Sequence, residues 1–337
     1  MKRFWLRAWQ FVRRYLRLFR HEVEPGRFEI GRVASRAGRV TSAPMTEPAR
    51  DYLVYVPLGH GRWRRAPLLV LLHGCRQTPE EFAALTRAAA WADREGWLVL
   101  LPRQAPSANA WGCWNWYETN TERGAGEAGI VAAQIVRVRR HYRARRERVL
   151  VAGLSAGGAL AAVLGVRHPR LVRGVLVHSG LACGAASSPM KALAVMRDGP
   201  DNDVTRVGDA ARDDARAPIP PVSLLVVQGE LDEVVSPANG IALVHQFLRI
   251  NGHPAGAVGY TNGARLPASD ATSRESADGR YSTRTDDWTS DGRVVVRHAL
   301  VEGLGHAWSG GDSHFAYADG RGPDALALLM RFAADAA

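Results

Sequence analysis

A serine set between glycines is the first residue in this chain whose type and spacing suit chemistry. In VLVAGLSAGGALAAVLG, Val149–Gly165, the spacing Gly153-x-Ser155-x-Gly157 is that of a nucleophile elbow, a sharp strand-to-helix turn that lifts a hydroxyl clear of a sheet. Glycine and serine also make ordinary turns, so the context matters. RVLVA before it reads as a buried strand, and GALAAVLGVRHP after it as a helix stopped by Pro169. A serine hydroxyl attacks only when a base takes its proton, and an acid usually holds that base. In sheets of this type the three follow the chain in the order Ser, acid, His. After Ser155, Asp232 lies just past the strand in PVSLLVVQGELDEVVSPANG, with Glu230 and Glu233 beside it as alternatives and Gly229 permitting the turn. His306 sits in a glycine-flanked loop beyond the last long strand, VVVRHALVEGLGHAWSGG; among the other ten histidines His178 is the best rival, but it precedes the acid. Attack creates an oxyanion that needs aimed backbone donors. The amides of Ala156, directly after the nucleophile, and of Cys75, after the turn His73-Gly74 in LLVLLHGCRQ, stand where such donors belong.

These residues need a scaffold that brings strand ends together. RDYLVYVP, APLLVLLHG, WLVLLP, RVLVA, VRGVLVHSG, PVSLLVVQG and VVVRHALVEG read as strands, several of them apolar throughout. Between them, TPEEFAALTRAAAWADREG predicts one helix capped by Thr78 with Pro79 at its first position, and GEAGIVAAQIVRVRRHY predicts another. The regular alternation predicts an α/β fold: a mostly parallel sheet with helices on both faces. Residues 262–293 are polar and predict a surface excursion with a hairpin around TSDGR; GPDALALLMRFAADAA closes the chain as a helix. The expected organisation is a basic extension, 1–26, and one catalytic domain, 27–337.

With 337 residues, 46% of them hydrophobic and 23% charged, the chain can bury a sizeable core and is not a disordered type. No apolar run approaches the roughly 20 residues of a membrane-spanning helix. The net charge is +11, yet all but Lys2 and Lys191 of the basic residues are arginine and no nucleic-acid motif accompanies them. The densest run, Arg137 to Arg148, precedes a buried strand and reads as a solvated helix face rather than a nucleic-acid surface. Cys75, Cys113 and Cys183 are too few for a disulfide framework and lack metal-ligand spacing, so no metal or cofactor is expected.

Taken together, HGCRQ, WGCWNWY, GLSAGG, QGELDEVVSPANG and EGLGHAWSGG resemble the polyhydroxybutyrate depolymerase family of esterases, which includes feruloyl and acetylxylan esterases; the resemblance runs from about Gly26 to the C-terminus. It implies the α/β-hydrolase fold, a triad of Ser155, Asp232 and His306, and oxyanion amides at Cys75 and Ala156. It also implies a substrate groove lined by Trp308, Trp111, Trp114, Trp116 and Tyr117, although core or lid packing would explain the same aromatics. Where such proteins commonly read His-Gly-Thr before the acid, this chain reads Gln228-Gly229-Glu230. The chain closes on its last helix with no appended polymer-binding domain, so the expected substrates are small esters, soluble polyester oligomers or amorphous polymer. Feruloyl or acetylxylan esterase is the alternative of the same class, a non-catalytic surface-binding protein is the alternative of another, and the triad alone does not forbid a peptidase. Cys75 and Cys113 stand beside the expected site, where a disulfide would fix the donor amide against the groove wall; two small buried hydrophobes are the other reading. The resemblance implies an extracellular or periplasmic enzyme, yet residues 1–24 lack the apolar stretch and cleavage site of a secretory signal.

Those residues carry a pattern of their own. In MKRFWLRAWQFVRRYLRLFR a helical wheel puts Phe4, Trp5, Trp9, Phe11, Tyr15 and Phe19 on one half, and Lys2 with six arginines on the other. That is the pattern of a helix lying in an anionic membrane interface or on a polymer surface; packing on the domain or on a second copy would use the same face.

Overall fold

Side chains along each central strand alternate between two buried layers, so no face of these strands meets water. Leu68, Val70 and Leu72 pack into one apolar layer, Leu69 and Leu71 into the other. This is why the strands read as unbroken apolar runs. The computed structural model describes residues 26–33, 50–61, 64–213, 219–276 and 278–336. The amphipathic segment expected at residues 1–24 lies outside them.

Ten strands form one sheet: β1 (Arg27–Val33), β2 (Arg50–Val56), β3 (Leu68–Leu72), β4 (Leu98–Pro102), β5 (Val149–Leu154), β6 (Gly174–His178), β7 (Ser223–Gly229), β8 (Ala271–Glu275), β9 (Thr283–Ser290) and β10 (Arg293–Val301), in the order β1-β2-β4-β3-β5-β6-β7-β10-β9-β8. The six strands from β4 to β10 in that order are mutually parallel, and antiparallel pairs flank them on both sides. Helices Gly126–His141, Ala156–Arg167 and Ala238–Ile250 cover one face; Pro79–Leu85, Ala88–Glu95 and Ala325–Asp335 cover the other. Parallel strands put all their C-terminal ends on one edge, which is where this architecture assembles a site.

Three expectations need correction. The helix foreseen across TPEEFAALTRAAAWADREG opens on a Thr78–Glu81 capping box as its sequence suggests, but breaks into Pro79–Leu85 and Ala88–Glu95. Thr86 Oγ1 donates back to the Phe82 carbonyl at 2.7 Å and Arg87 takes a left-handed φ of 54°. The run Arg137–Arg148 is helical only to His141, and the rest is a loop leading into β5. Residues 262–293 are no mere excursion. The hairpin expected around TSDGR is present, with Asp291 and Gly292, both at positive φ, in the tight turn between β9 and β10, but β8 and β9 extend the main sheet; β8 is polar because it is a fully exposed edge.

Three histidines, His73, His178 and His298, are buried in this sheet, and burial is the main cause that pushes their pKa values down to about 4, 3 and 4. Neither ring nitrogen of His298 has a hydrogen-bond partner among the described residues. These imidazoles are neutral in the fold, whereas an unfolded imidazole takes a proton below about pH 6.5. The unfolded state thus binds more protons below that pH. Stability is full above it and falls towards pH 4, by up to about 1.4 kcal/mol per pH unit for each group. Urea midpoints measured from pH 7.5 to 5 should fall steeply, and His298→Phe should flatten the slope by about one group; an unchanged slope contradicts its neutral burial.

Candidate active site

Steric exclusion builds the turn around Ser155. A Cβ at Gly153 would overlap the Gly157 peptide, and one at Gly157 would overlap the carbonyl oxygens of Leu72 and His73 at the end of β3. The helix Ala156–Arg167 can therefore start hard against the sheet only with glycine at both positions. Between them Ser155 takes φ 57° and ψ −120°, a conformation that side-chain-bearing residues rarely hold. Its N–H donates to the His178 carbonyl at 2.9 Å, fixing the strained residue to β6.

Asp232 and His306 arrive on the same edge from the loops after β7 and β10. A Cβ at Gly229 would overlap the Leu304 and Gly305 carbonyls, so glycine serves close approach of the two loops rather than the turn. Glu230 N–H and Leu231 N–H donate to Val301 and Leu304 carbonyls and stitch those loops together. His306 Nδ1 lies 2.9 Å from Asp232 Oδ2 and 3.0 Å from Oδ1. Glu230 instead accepts from the Gly303 N–H at 3.2 Å, and Glu233 is exposed. Asp232 Oδ1 also accepts the amides of Val235 at 2.8 Å and Val234 at 3.0 Å. Burial works to raise the Asp232 pKa, but the hydrogen bond and charge of His306, the Val235 amide and the Ser179 hydroxyl outweigh it and hold the carboxyl below the usual carboxylate range. Gln228, the residue that departs from the family pattern, reaches Asp232 Oδ2 with Nε2 at 3.4 Å. The hydrogen-bonded pair is Asp232–His306. Ser155 reaches the same edge through strand order and its backbone bond to His178.

The rival His178 is not a base. Its ring is buried against Trp308, with centroids 5.2 Å apart. Nε2 accepts from the Ser309 N–H at 2.9 Å, which leaves the proton on Nδ1, 3.2 Å from Ser179 Oγ. It packs the loop of His306 onto the strand beside Ser155.

The two amides expected to hold an oxyanion donate to no protein acceptor among the described residues. Ala156 N–H is the first of its helix, where a partner is not supplied by the helix itself. His73 Nδ1 donates to the Gly74 carbonyl at 2.8 Å while Nε2 accepts from Gln104 N–H at 3.3 Å. In a trans peptide the carbonyl and the following N–H point in opposite directions, so this bond turns the Cys75 N–H away from His73. A disulfide joins Cys75 to Cys113, and Cys183 is a buried free thiol.

The aromatics divide sharply. Trp308, Trp114 and Trp116 are buried. Trp308 packs on Phe82 and His178, and Trp114 donates Nε1–H to the His73 carbonyl at 3.0 Å. All three belong to the packed apolar layers on the two faces of the sheet, as the core-packing alternative expects. Trp111 is 60% exposed, with the Arg76 guanidinium 4.4 Å from its ring, and Tyr117 is half-buried. Sequence reading missed Tyr317, exposed and 6.4 Å from the His306 ring, and Leu231 and Val234, exposed apolar neighbours of Asp232. It also missed buried Glu127, which accepts from Asn115 and Gln104 and ties the loop of Trp111 and Cys113 to the helix Gly126–His141; burial pushes its carboxyl up. Among the described residues no group of three His, Cys, Asp or Glu is placed to hold a metal.

A sequence model of the esterase PHB depolymerase family matches residues 50–267, well over half of the chain. The chain belongs to that family. It is 32% identical over 194 residues to poly(3-hydroxyalkanoate) depolymerase C of Paucimonas lemoignei, covering 56% of this chain and 45% of that protein. It is 30% identical over 125 residues to feruloyl esterase B of Neurospora crassa, covering 36% and 42% respectively. The chain thus spans less than half the length of these curated relatives. The solved acetyl xylan esterase from Aspergillus awamori superposes with a TM-score of 0.61 at 18% identity, over 82% of this chain and 94% of that one, which shows the shared α/β-hydrolase fold. His306 lies outside the family match, so geometry alone pairs it with Asp232.

The disulfide closes a separation of 38 residues, worth about 4 kcal/mol in the chain-entropy relation. Reduction with dithiothreitol should lower the urea midpoint accordingly, and an unchanged midpoint after mass-verified reduction would contradict that stabilisation.

Proposed function

We propose that this esterase-family chain hydrolyses carboxylic esters through an acyl-enzyme on Ser155. The observation that carries the reading is the Asp232–His306 hydrogen bond, on the same sheet edge as a serine held at positive φ. With Nδ1 engaged by the carboxylate, His306 Nε2 is the atom left to take the Ser155 proton as Oγ attacks the ester carbonyl. Asp232 steadies the imidazolium that forms. The developing oxyanion takes hydrogen bonds from the Cys75 and Ala156 amides, each worth on the order of 10² to 10³ in rate. The protonated base then delivers its proton to the leaving alcohol, and a water repeats the sequence on the acyl-enzyme.

The acyl group is proposed to be a 3-hydroxyalkanoate ester of an oligomer. The similarity to a poly(3-hydroxyalkanoate) depolymerase supports this, as do the exposed apolar side chains Leu231, Val234, Tyr317 and Trp111, which suit a chain of short aliphatic esters. A second reading, an aromatic acyl ester, is favoured by the similarity to feruloyl esterase B and by the exposed Trp111 beside the Cys75 loop.

Hydroxybutyrate oligomers, methyl ferulate and acetylated xylan should be assayed with the parent and with Ser155→Ala. The parent is expected to favour the oligomers, and Ser155→Ala to lose at least about 10³-fold on every ester it cleaves. Asp232→Asn should cost far more than Glu230→Gln. Turnover by Ser155→Ala within tenfold of the parent refutes the nucleophile; preference for ferulate replaces only the substrate.

A further inference from the structure

The edge opposite Ser155 is as strongly specialised as the edge that carries it. Between Arg137 and Arg148 the sequence has seven arginines against one acid, Glu147. The fold gathers these with other arginines at the N-terminal ends of the parallel strands. Arg145 N–H donates to the Ala66 carbonyl at 2.9 Å and its Nε to the Arg65 carbonyl at 3.1 Å. Leu68 N–H takes the Arg148 carbonyl at 2.9 Å, and Arg173 N–H takes that of Val149 at 2.9 Å. Arg64, Arg65, Arg145, Arg146, Arg148 and Arg173 therefore share one edge, the first five exposed. None of the six has an ion-pair partner among the described residues. Partial burial, then the crowding of Arg146 and Arg140, holds the Arg139 guanidinium below its usual value. Such self-repulsion opposes folding, and an anionic partner relieves it.

The sequence ahead of β1 bears on the chemistry of that partner. Arg27 pairs with Val56, so β1 begins on this basic edge, and Gly26 sits against Tyr55 and Asp93 there. Earlier in the sequence, residues 1–20 include Lys2 and six arginines, which on a helical wheel fall opposite an aromatic, apolar half. Single-stranded nucleic acid can stack bases on isolated aromatics, but it has no use for the aliphatic Ala8, Val12, Leu16 and Leu18 of the same half, whereas an anionic bilayer interface uses a continuous apolar half beside a basic one.

We propose that this arginine edge docks on an anionic phospholipid surface. The Ser155 edge then faces away from the bilayer across the roughly 20 Å length of the strands, and the protein acts on esters reaching it from the aqueous side. This docking does not depend on the ester reading.

Full-length protein should be sedimented with phosphatidylcholine vesicles, with and without phosphatidylglycerol, alongside turnover of a soluble nitrophenyl ester. The parent should bind only the anionic vesicles, less at high salt. With each charge worth about fivefold in partition, Arg64→Gln/Arg65→Gln/Arg146→Gln should bind on the order of 100-fold more weakly with unchanged soluble-ester turnover. Arg64→Glu/Arg65→Glu/Arg146→Glu should be weaker still. Absent binding, equal binding to neutral vesicles, or triple variants that bind like the parent overturn the docking face. Displacement by single-stranded RNA at equal phosphate reassigns it to nucleic acid. A fall of more than fivefold in soluble-ester turnover on vesicle binding overturns the orientation.

Discussion

At residue 157 the helix after β5 comes so close to β3 that the Leu72 and His73 carbonyls occupy the volume of a side chain. Everything at the Ser155 edge depends on that approach. It forces glycine at Gly153 and Gly157, throws Ser155 into a strained conformation, and starts the helix with an Ala156 amide that has no protein acceptor among the described residues, beside the turn that carries Cys75. A serine elbow is thus a consequence of packing before it is a feature of chemistry. The strain is held by the His178 carbonyl on one side and the buried helix on the other.

Neutral, buried imidazoles do much of the positioning around the elbow. His73 turns the Gly74–Cys75 peptide through one ring nitrogen and receives the chain at Gln104 through the other. His178 receives Ser309 and stacks on Trp308, holding the loop that presents His306. Each uses one nitrogen as donor and the other as acceptor, a pairing available only to the uncharged ring. The fold has thus committed these rings to structure, whereas His306 is tied through Nδ1 to Asp232.

Most of the architecture was legible because parallel strands buried on both faces advertise themselves as apolar runs, and because Gly153, Ser155 and Gly157 encode a steric requirement. The order of Ser155, Asp232 and His306 along the chain was legible for the same reason, since strand ends fix the order in which loops reach the edge. What escaped depends on contacts between distant segments. The break at Thr86 comes from a side-chain hydrogen bond back to Phe82 within a pattern otherwise suited to one helix. β8 reads as loop because an exposed edge strand carries no apolar periodicity. Trp114, Trp116 and Trp308 read as groove residues because an aromatic near a catalytic motif looks the same in sequence whether it faces the substrate or the core. Glu127 and Tyr317 carry no local signal at all; only the fold brings them to the site.

The strained hydroxyl of Ser155, and no other, is proposed to become covalently bonded during turnover. Treatment with a fluorophosphonate, followed by intact mass and peptide mapping, tests it directly. One adduct per chain is expected, on the peptide containing Ser155, and it should be nearly abolished in His306→Ala. An unlabelled protein that still hydrolyses esters, or an adduct on any other residue, would contradict it.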